Sequence, residues 1–271
     1  MTVETKTRFV TALVVAPFVV LCFVSYKSLI GLVAAVVLLA SYELLNLASQ
    51  EKEKGFVKYA VAICVGFVVV YGITGAQNGL LLLSLAFVLT NVLAVLTQKN
   101  VETVWPMVVA TSVSLVYVAG CLSFFFPIYL EFGAANALLN LTAVWLYDTG
   151  AYFVGMKWGR IKISKKFSPN KSLEGMIGGF LSTLAFSFLY KIVFGFVFKA
   201  NVMPFTSLVI FSAVITVLDT FGDVFESALK RYFKVKDSGS VLPGHGGMLD
   251  RIDGLLFVTP VTYFLLSIGV L

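Results

Sequence analysis

The sequence predicts an all-α, polytopic membrane protein of about nine transmembrane helices, with its N-terminus in the cytoplasm and its C-terminus outside. Three observations lead there. First, 59% of the 271 residues are hydrophobic and 13% are charged, whereas a soluble domain carries roughly 25% charged residues. Second, the apolar residues form long runs: Leu29 to Ala40 is almost continuously apolar, unlike the alternation over about 10 positions that marks a barrel strand. Third, the basic residues segregate. With the N-terminus inside, 17 of the 20 Lys and Arg fall on the cytoplasmic side, and only Lys27, Lys191 and Lys199 face out, as the positive-inside rule requires.

The spans are placed at about 9–25, 29–48, 56–74, 79–97, 105–129, 133–156, 175–197, 204–226 and 253–271. Each is close to the ~20 residues that cross a bilayer as a helix. The first begins after Lys6 and Arg8 and could imitate a signal peptide. No A-x-A-like cleavage site follows, so it is read as a retained helix. Cys22, Cys64 and Cys121 all fall inside spans, match no CxxC spacing and are read as packed thiols. The net charge of +6 is accounted for by orientation and attraction to anionic lipid, so no nucleic-acid partner is expected. The chain divides into a scaffold at 1–130 (about five helices) and a catalytic region at 131–271 (about four helices and two cytoplasmic loops).

Chemistry concentrates from Asp148 onward. Acids within a span are costly and face a polar cavity or a partner. Asp219, Asp223, Glu226, Ser227 and Lys230 share one helical face, while Asp250 and Asp253 stand three apart at the start of the last span. Carboxylates from two helices, with no Cys among them, suit Mg²⁺ rather than zinc. Asp148 looks like part of the same cavity. Glu43, in the second span, is read as a structural ion pair or interfacial residue.

Two loops carry anion chemistry. His245, the single His, sits in Pro243-Gly244-His245-Gly246-Gly247, a turn whose exposed N–H groups can cradle an anion. The loop after the sixth span runs from Lys157 to Ser168-Pro169-Asn170-Lys171-Ser172-Leu173-Glu174-Gly175. A helix beginning near Ser172 beside cations is a natural phosphate site. Lys171 and Ser172 are the expected substrate contacts, whereas Lys162, Lys165 and Lys166 are read as anchoring charge. No G-x4-G-K-[ST] is present, which excludes a P-loop.

These blocks resemble the CDP-diacylglycerol synthase family, the phosphatidate cytidylyltransferases. The family's C-terminal motif, S-x-x-K-R, four residues, K-D, then P-x-H-G-G to D-R-x-D, is matched at Ser227, Lys230, Arg231, Lys236, Asp237, Pro243, His245, Gly246, Gly247, Asp250, Arg251 and Asp253. Asp148 to Tyr152 and Ser168 to Gly175 also look like the family. The family often has Thr where this chain has Ser172 and an aromatic where it has Leu173. The blocks cover roughly the C-terminal half; the N-terminal half matches only as a row of spans.

The resemblance implies the Mg²⁺-dependent conversion of CTP and phosphatidate to CDP-diacylglycerol and pyrophosphate. On that basis Asp223 and Asp250 are expected to hold Mg²⁺, with Asp148, Asp219 or Asp253 as further ligands or support, and a second cation is allowed. Lys171, Lys230, Arg231, His245 and Arg251 are expected phosphate contacts. Partners are CTP, phosphatidate and membrane lipid, with a homodimer by analogy alone. The compact chain points to a bacterial inner membrane with the active site facing the cytoplasm. Two competing readings are a CTP-dependent polyprenol or phytol kinase, disfavoured by the complete Pro243–Asp253 block, and a cation-coupled transporter, disfavoured because no clear repeat is found.

Overall fold

The computed structural model describes residues 15–49, 54–75, 78–97, 101–164, 166–239 and 246–271. His245, with Pro243, Gly244 and Lys165, lies outside the described residues. The described chain is helical almost throughout, an all-α membrane protein. Helices α1 (15–22), α2 (Tyr26–Ala48), α3 (Lys54–Thr74), α4 (Gly79–Thr97), α5 (Val101–Val113), α6 (Cys121–Ser123), α7 (Phe125–Phe132) and α8 (Ala134–Trp158) come first. A short hairpin, β1 (Lys162–Ser164) and β2 (Ser168–Ser172), precedes α9 (Leu173–Tyr190), α10 (Phe205–Tyr232) and α11 (Leu249–Ser267).

Six helices among the described residues are long and apolar enough to cross a membrane. They are Tyr26–Ala48, Gly55–Thr74, Gly79–Thr97, Val104–Phe132, Leu173–Val197 and Phe205–Tyr232. The fifth runs through α5, a π-helical stretch at Ser114–Gly120, α6 and α7. Helices α8 and α11 cover two of the other spans expected from the sequence. They are more polar: α8 carries Asn136, Asn140, Asp148 and Lys157, and α11 opens with Asp250, Arg251 and Asp253.

The chain forms two compact units. The first comprises residues 1–126 and 235–251. Its core packs Leu45 of α2 against Phe56, Val57, Ala60 and Val61 of α3, Ala94 of α4, and Met107 and Val108 of α5. Cys64 is buried and its thiol donates to Ser114 Oγ at 3.8 Å; Cys22, Cys64 and Cys121 are all free thiols, as the sequence implies.

The second unit comprises residues 127–234 and 252–271. In lipid the hydrophobic effect does not drive helices together, so small residues and buried hydrogen bonds must. Helices α8 and α9 obey this: a Cβ on Gly175 would stand 3.0 Å from the Ala151 carbonyl oxygen. Ser182 Oγ donates to the Leu146 carbonyl at 3.0 Å across the same seam. Asn140 Nδ2 donates to Thr259 Oγ1 at 3.1 Å, and Asn136 Oδ1 accepts from Met203 N at 3.1 Å. A buried polar group here has only the protein to bond to, because hydrocarbon offers no partner; Asn140 Oδ1 finds none among the described residues.

The hairpin is a departure from the sequence reading, which has only a loop there. Its strands pair antiparallel, Lys162 with Ser172 and Ser164 with Ser168, with an irregularity between. The Glu174 carboxylate fastens it, accepting from Arg160 N at 3.0 Å and Ile161 N at 3.2 Å.

Candidate active site

In the second unit the site grows from α10. Its 28 residues make a rod of about 42 Å at 1.5 Å per residue, longer than the ~30 Å hydrocarbon core. The polar stripe Asp219, Asp223, Glu226, Ser227, Lys230 lies toward its C-terminal end. The structure confirms the helix through all five. Asp219 and Glu226 are buried, and Asp223, Ser227 and Lys230 are half-buried.

Lys171, on β2, reaches Asp223 with Nζ 2.9 Å from Oδ2. Ser227 Oγ donates to the other oxygen, Oδ1, at 3.3 Å. The Lys171 ammonium also feels Asp219 and Asp148. Burial alone would push its pKa down, but these three carboxylates override that and hold it above the ordinary lysine value. One strand therefore delivers a permanently charged cation into a group of acids. Lys230 pairs with Glu226 one turn along the helix, removing that carboxylate from the cluster.

Asp219 is different. It is 1% exposed, and among the described residues neither carboxylate oxygen has a hydrogen-bond partner by geometry. Asp148 and Asp253 act on it electrostatically, and Asp253 in turn feels Asp223, Asp148 and Lys171. Space for the carboxylate comes from Gly254, where a Cβ would collide with Asp219 Oδ1. Gly222 does the same for the backbone: a Cβ there would stand 2.7 Å from the Asp253 carbonyl oxygen. This close approach of α10 and α11 is a feature the sequence reading did not draw from either glycine.

The second unit thus gathers Asp148 (α8), Lys171 (β2), Asp219 and Asp223 (α10) and Asp253 (α11). Among the described residues no three acidic, His or Cys side chains already stand as a coordination sphere. The donor set fits a hard cation nonetheless. It is made of carboxylates, and Asp219 is a buried carboxyl group with no donor among the described residues, which could be ionised only at a cost of several kcal/mol unless a cation compensates.

The remaining expected residues are placed as follows. Ser172 is buried at the N-cap of α9, its Oγ accepting from Gly175 N at 3.2 Å. The sequence placed a helix start there, and the cap is the reason. Arg231 is exposed at the end of α10.

Asp250 and Arg251 belong to the first unit. Arg251 is exposed. Asp250 Oδ2 accepts from Gly247 N at 2.9 Å, Ser238 N at 3.0 Å and Ser238 Oγ at 2.9 Å. Glu43 in α2 is 4% exposed and binds the same loop. Its Oε1 accepts from Met248 N at 2.8 Å and its Oε2 from Leu249 N at 2.9 Å. The sequence reads Glu43 as a structural ion pair or interfacial residue; here its partners are two backbone N–H groups and the Ser238 hydroxyl, which no side-chain pattern announces.

The profile of the Cytidylyltransferase family matches residues 6–269. The chain is 52% identical over 265 residues to the phosphatidate cytidylyltransferase of Thermotoga maritima, covering 98% of this chain and 97% of that protein. It is 37% identical over 159 residues to the Bacillus subtilis phosphatidate cytidylyltransferase, covering 58% of this chain and 57% of the relative. With that of Staphylococcus saprophyticus it shares 40% over 134 residues, 49% of this chain and 50% of the other. A match that runs nearly end to end and takes in the acids of both units places the chain in the cytidylyltransferase family.

Proposed function

We propose that this protein transfers the cytidylyl group of CTP to phosphatidate, releasing CDP-diacylglycerol and pyrophosphate, as a step of phospholipid biosynthesis. The observation that carries this reading is the near-full-length identity to a phosphatidate cytidylyltransferase. The acid–lysine cluster of the second unit supports it. A phosphatidate oxygen attacks the α-phosphorus of CTP and pyrophosphate leaves. The nucleophile is already ionised, so no general base is needed. The obstacle is bringing anions together, and catalysis is positioning and charge neutralisation.

Lys171, locked in its charged form by Asp223, Asp219 and Asp148, is the cation aimed at phosphate. Lys230, Arg231, Arg251 and His245 are further proposed phosphate contacts, and Ser172 holds the start of α9 under Lys171. Asp219, Asp223 and Asp253 would hold Mg²⁺, with Asp148 beside them. The chemistry a bound Mg²⁺ supplies is neutralisation of the CTP phosphates and of the departing pyrophosphate. When ionised, Asp148, Asp219, Asp223 and Asp253 outweigh the Lys171 charge by more than one divalent ion offsets, which is the ground for a second cation. The expectation that Asp250 is a metal ligand rests on its motif.

We place the enzyme in a bacterial inner membrane with nine spans, its N-terminus inside, its active site toward the cytoplasm, and a homodimer as its assembly. Reporter fusions after each span test the topology, and light scattering in detergent tests the dimer. The reaction is tested with purified protein, labelled CTP, phosphatidate and Mg²⁺. Equal, Mg²⁺-dependent appearance of lipid-phase cytidine and pyrophosphate is expected. CDP with lipid phosphate would instead make it a kinase, and no use of CTP by folded protein would sink the reading.

A further inference from the structure

We propose that Glu43 is a positioning residue for the transferase reaction: from α2 it fixes the N-terminus of α11 and, through Ser238, the setting of Asp250. The inference rests on the cytidylyl-transfer reading, since it takes the loop around Asp250 to serve that reaction.

The geometry is a built socket. The first N–H groups of a helix have no partner within it, and its N-terminus attracts negative charge. Helix α11 begins at Leu249. Glu43 supplies one oxygen to Met248 N and the other to Leu249 N, at 2.8 and 2.9 Å. The acceptor comes from a helix 205 residues earlier in sequence, so the start of α11 is set by α2 rather than by its own loop.

The two carboxylates share a linker. Ser238 Oγ lies 3.1 Å from Glu43 Oε2 and 2.9 Å from Asp250 Oδ2. A serine hydroxyl carries one proton and serves one acceptor at a time, so a change at Glu43 alters what Ser238 offers Asp250. Glycines make the socket possible. A Cβ on Gly239 would stand 2.6 Å from Glu43 Oε1, and one on Gly247 2.5 Å from Glu43 Oε2. Gly246 has a φ of +78°, which favours glycine, and wraps the turn onto Asp250. The double glycine of the motif is thus explained in part by the need to admit Glu43.

Glu43 contacts the loop and nothing it does requires contact with substrate. Its removal should therefore act chiefly on the rate, and on binding only through the segment it holds. The test compares wild type with Glu43→Gln, which keeps the size but turns an NH₂ toward an N–H donor, and with Glu43→Ala. The readouts are steady-state kinetics in detergent and amide hydrogen exchange. Expected are a loss of about 10–100-fold in kcat, the range typical of groups that orient a site's ligands, KM for CTP little changed, and faster exchange at Gly247, Met248 and Leu249 with α3 and α9 still protected. Combining Glu43→Gln with Ser238→Ala should give less than the product of the single losses.

Unchanged kcat with a loosened loop would overturn the proposal, as would unchanged exchange at those amides. Loss of protection throughout α3 and α9 would also overturn it, because Glu43 would then be a general stability residue. A wild-type protein that forms no CDP-lipid would sink the cytidylyl-transfer reading instead, a result distinct from all of these.

Discussion

Glu43 and Asp250 in the first unit, and Asp219 in the second, are all acids in or beside apolar helices, yet they are treated in opposite ways. Each of the first two accepts hydrogen bonds from backbone N–H groups, and the two share the Ser238 hydroxyl. Asp219, more deeply buried, accepts none among the described residues. A carboxylate taken from water must recover its lost hydration from donors, a cation or a proton. Acids of the first kind build a loop. An acid of the second kind is an incomplete site. The difference separates carboxylates whose hydrogen bonds the protein supplies from one whose bonds are not supplied among the described residues, and it can be broken by mutation.

The largest effects come from neutralising single acids. Asp223→Asn should abolish CDP-lipid formation without loosening the contacts of Ser238 and Gly247 with Asp250, since its partners are Lys171 and Ser227. Asp250→Asn should also abolish turnover, but it removes the charge to which Gly247 N and Ser238 donate. Hydrogen exchange there should rise, with the protein still membrane-inserted. Near-normal activity of Asp250→Asn would remove it from the motif-based metal assignment and leave only its loop role.

Next is Gly254→Ala. The added methyl collides with Asp219 Oδ1, so α11 must retreat or the carboxylate must rotate. Overpacking of this kind costs about 1–3 kcal/mol, and turnover should fall with it. Gly66→Ala in α3, where a Cβ meets nothing within 4 Å, is the control and should leave both stability and turnover intact. Equal behaviour of the two variants, read by melting in detergent and by assay, would mean that the α10–α11 approach is not tight.

The sequence made the helices legible because lipid leaves few choices: a long apolar run must be a helix. It made the stripe Asp219, Asp223, Glu226 legible because 3.6-residue periodicity places them on one face. It also marked Lys171 and a helix start near Ser172, where it expected a substrate contact and the structure shows an N-cap. It did not show that Lys230 is taken by Glu226, because a helix face carries both reading and counter-reading. Nor did it show the hairpin before α9, whose five-residue second strand is set by pairing and by Glu174 rather than by pattern. The engagement of Glu43 with Met248 and Leu249 was hidden for a more general reason. Backbone N–H groups are the same in every residue, so a side chain that serves them leaves no matching partner in the sequence.

A smaller effect distinguishes the two kinds of acid most directly. Asp219→Asn replaces a buried carboxyl group that accepts no hydrogen bond among the described residues, so the metal-free protein should melt no lower than the wild type. The same variant should lose part of the stabilisation that added Mg²⁺ gives the wild type. Glu43→Gln should do the reverse, melting lower without changing the Mg²⁺ increment. Identical shifts for both variants would erase the distinction.

The smallest expected effect is an absence of titration. Lys171 carries a pKa above its ordinary value because Asp223, Asp219 and Asp148 outweigh the cost of burial. A raised folded-state pKa means that the stabilising charge is fully present below the ordinary lysine value, ~10.4, and is lost only as pH climbs past the folded value. Rate–pH profiles should therefore show no limb from Lys171 between neutrality and that range, and Lys171→Arg should leave their shape unchanged. An alkaline limb that disappears in Lys171→Arg would mean that burial wins over the carboxylates. Lys171 would then be a group that releases its proton during turnover, and the acids around it would already be neutralised by something other than the lysine.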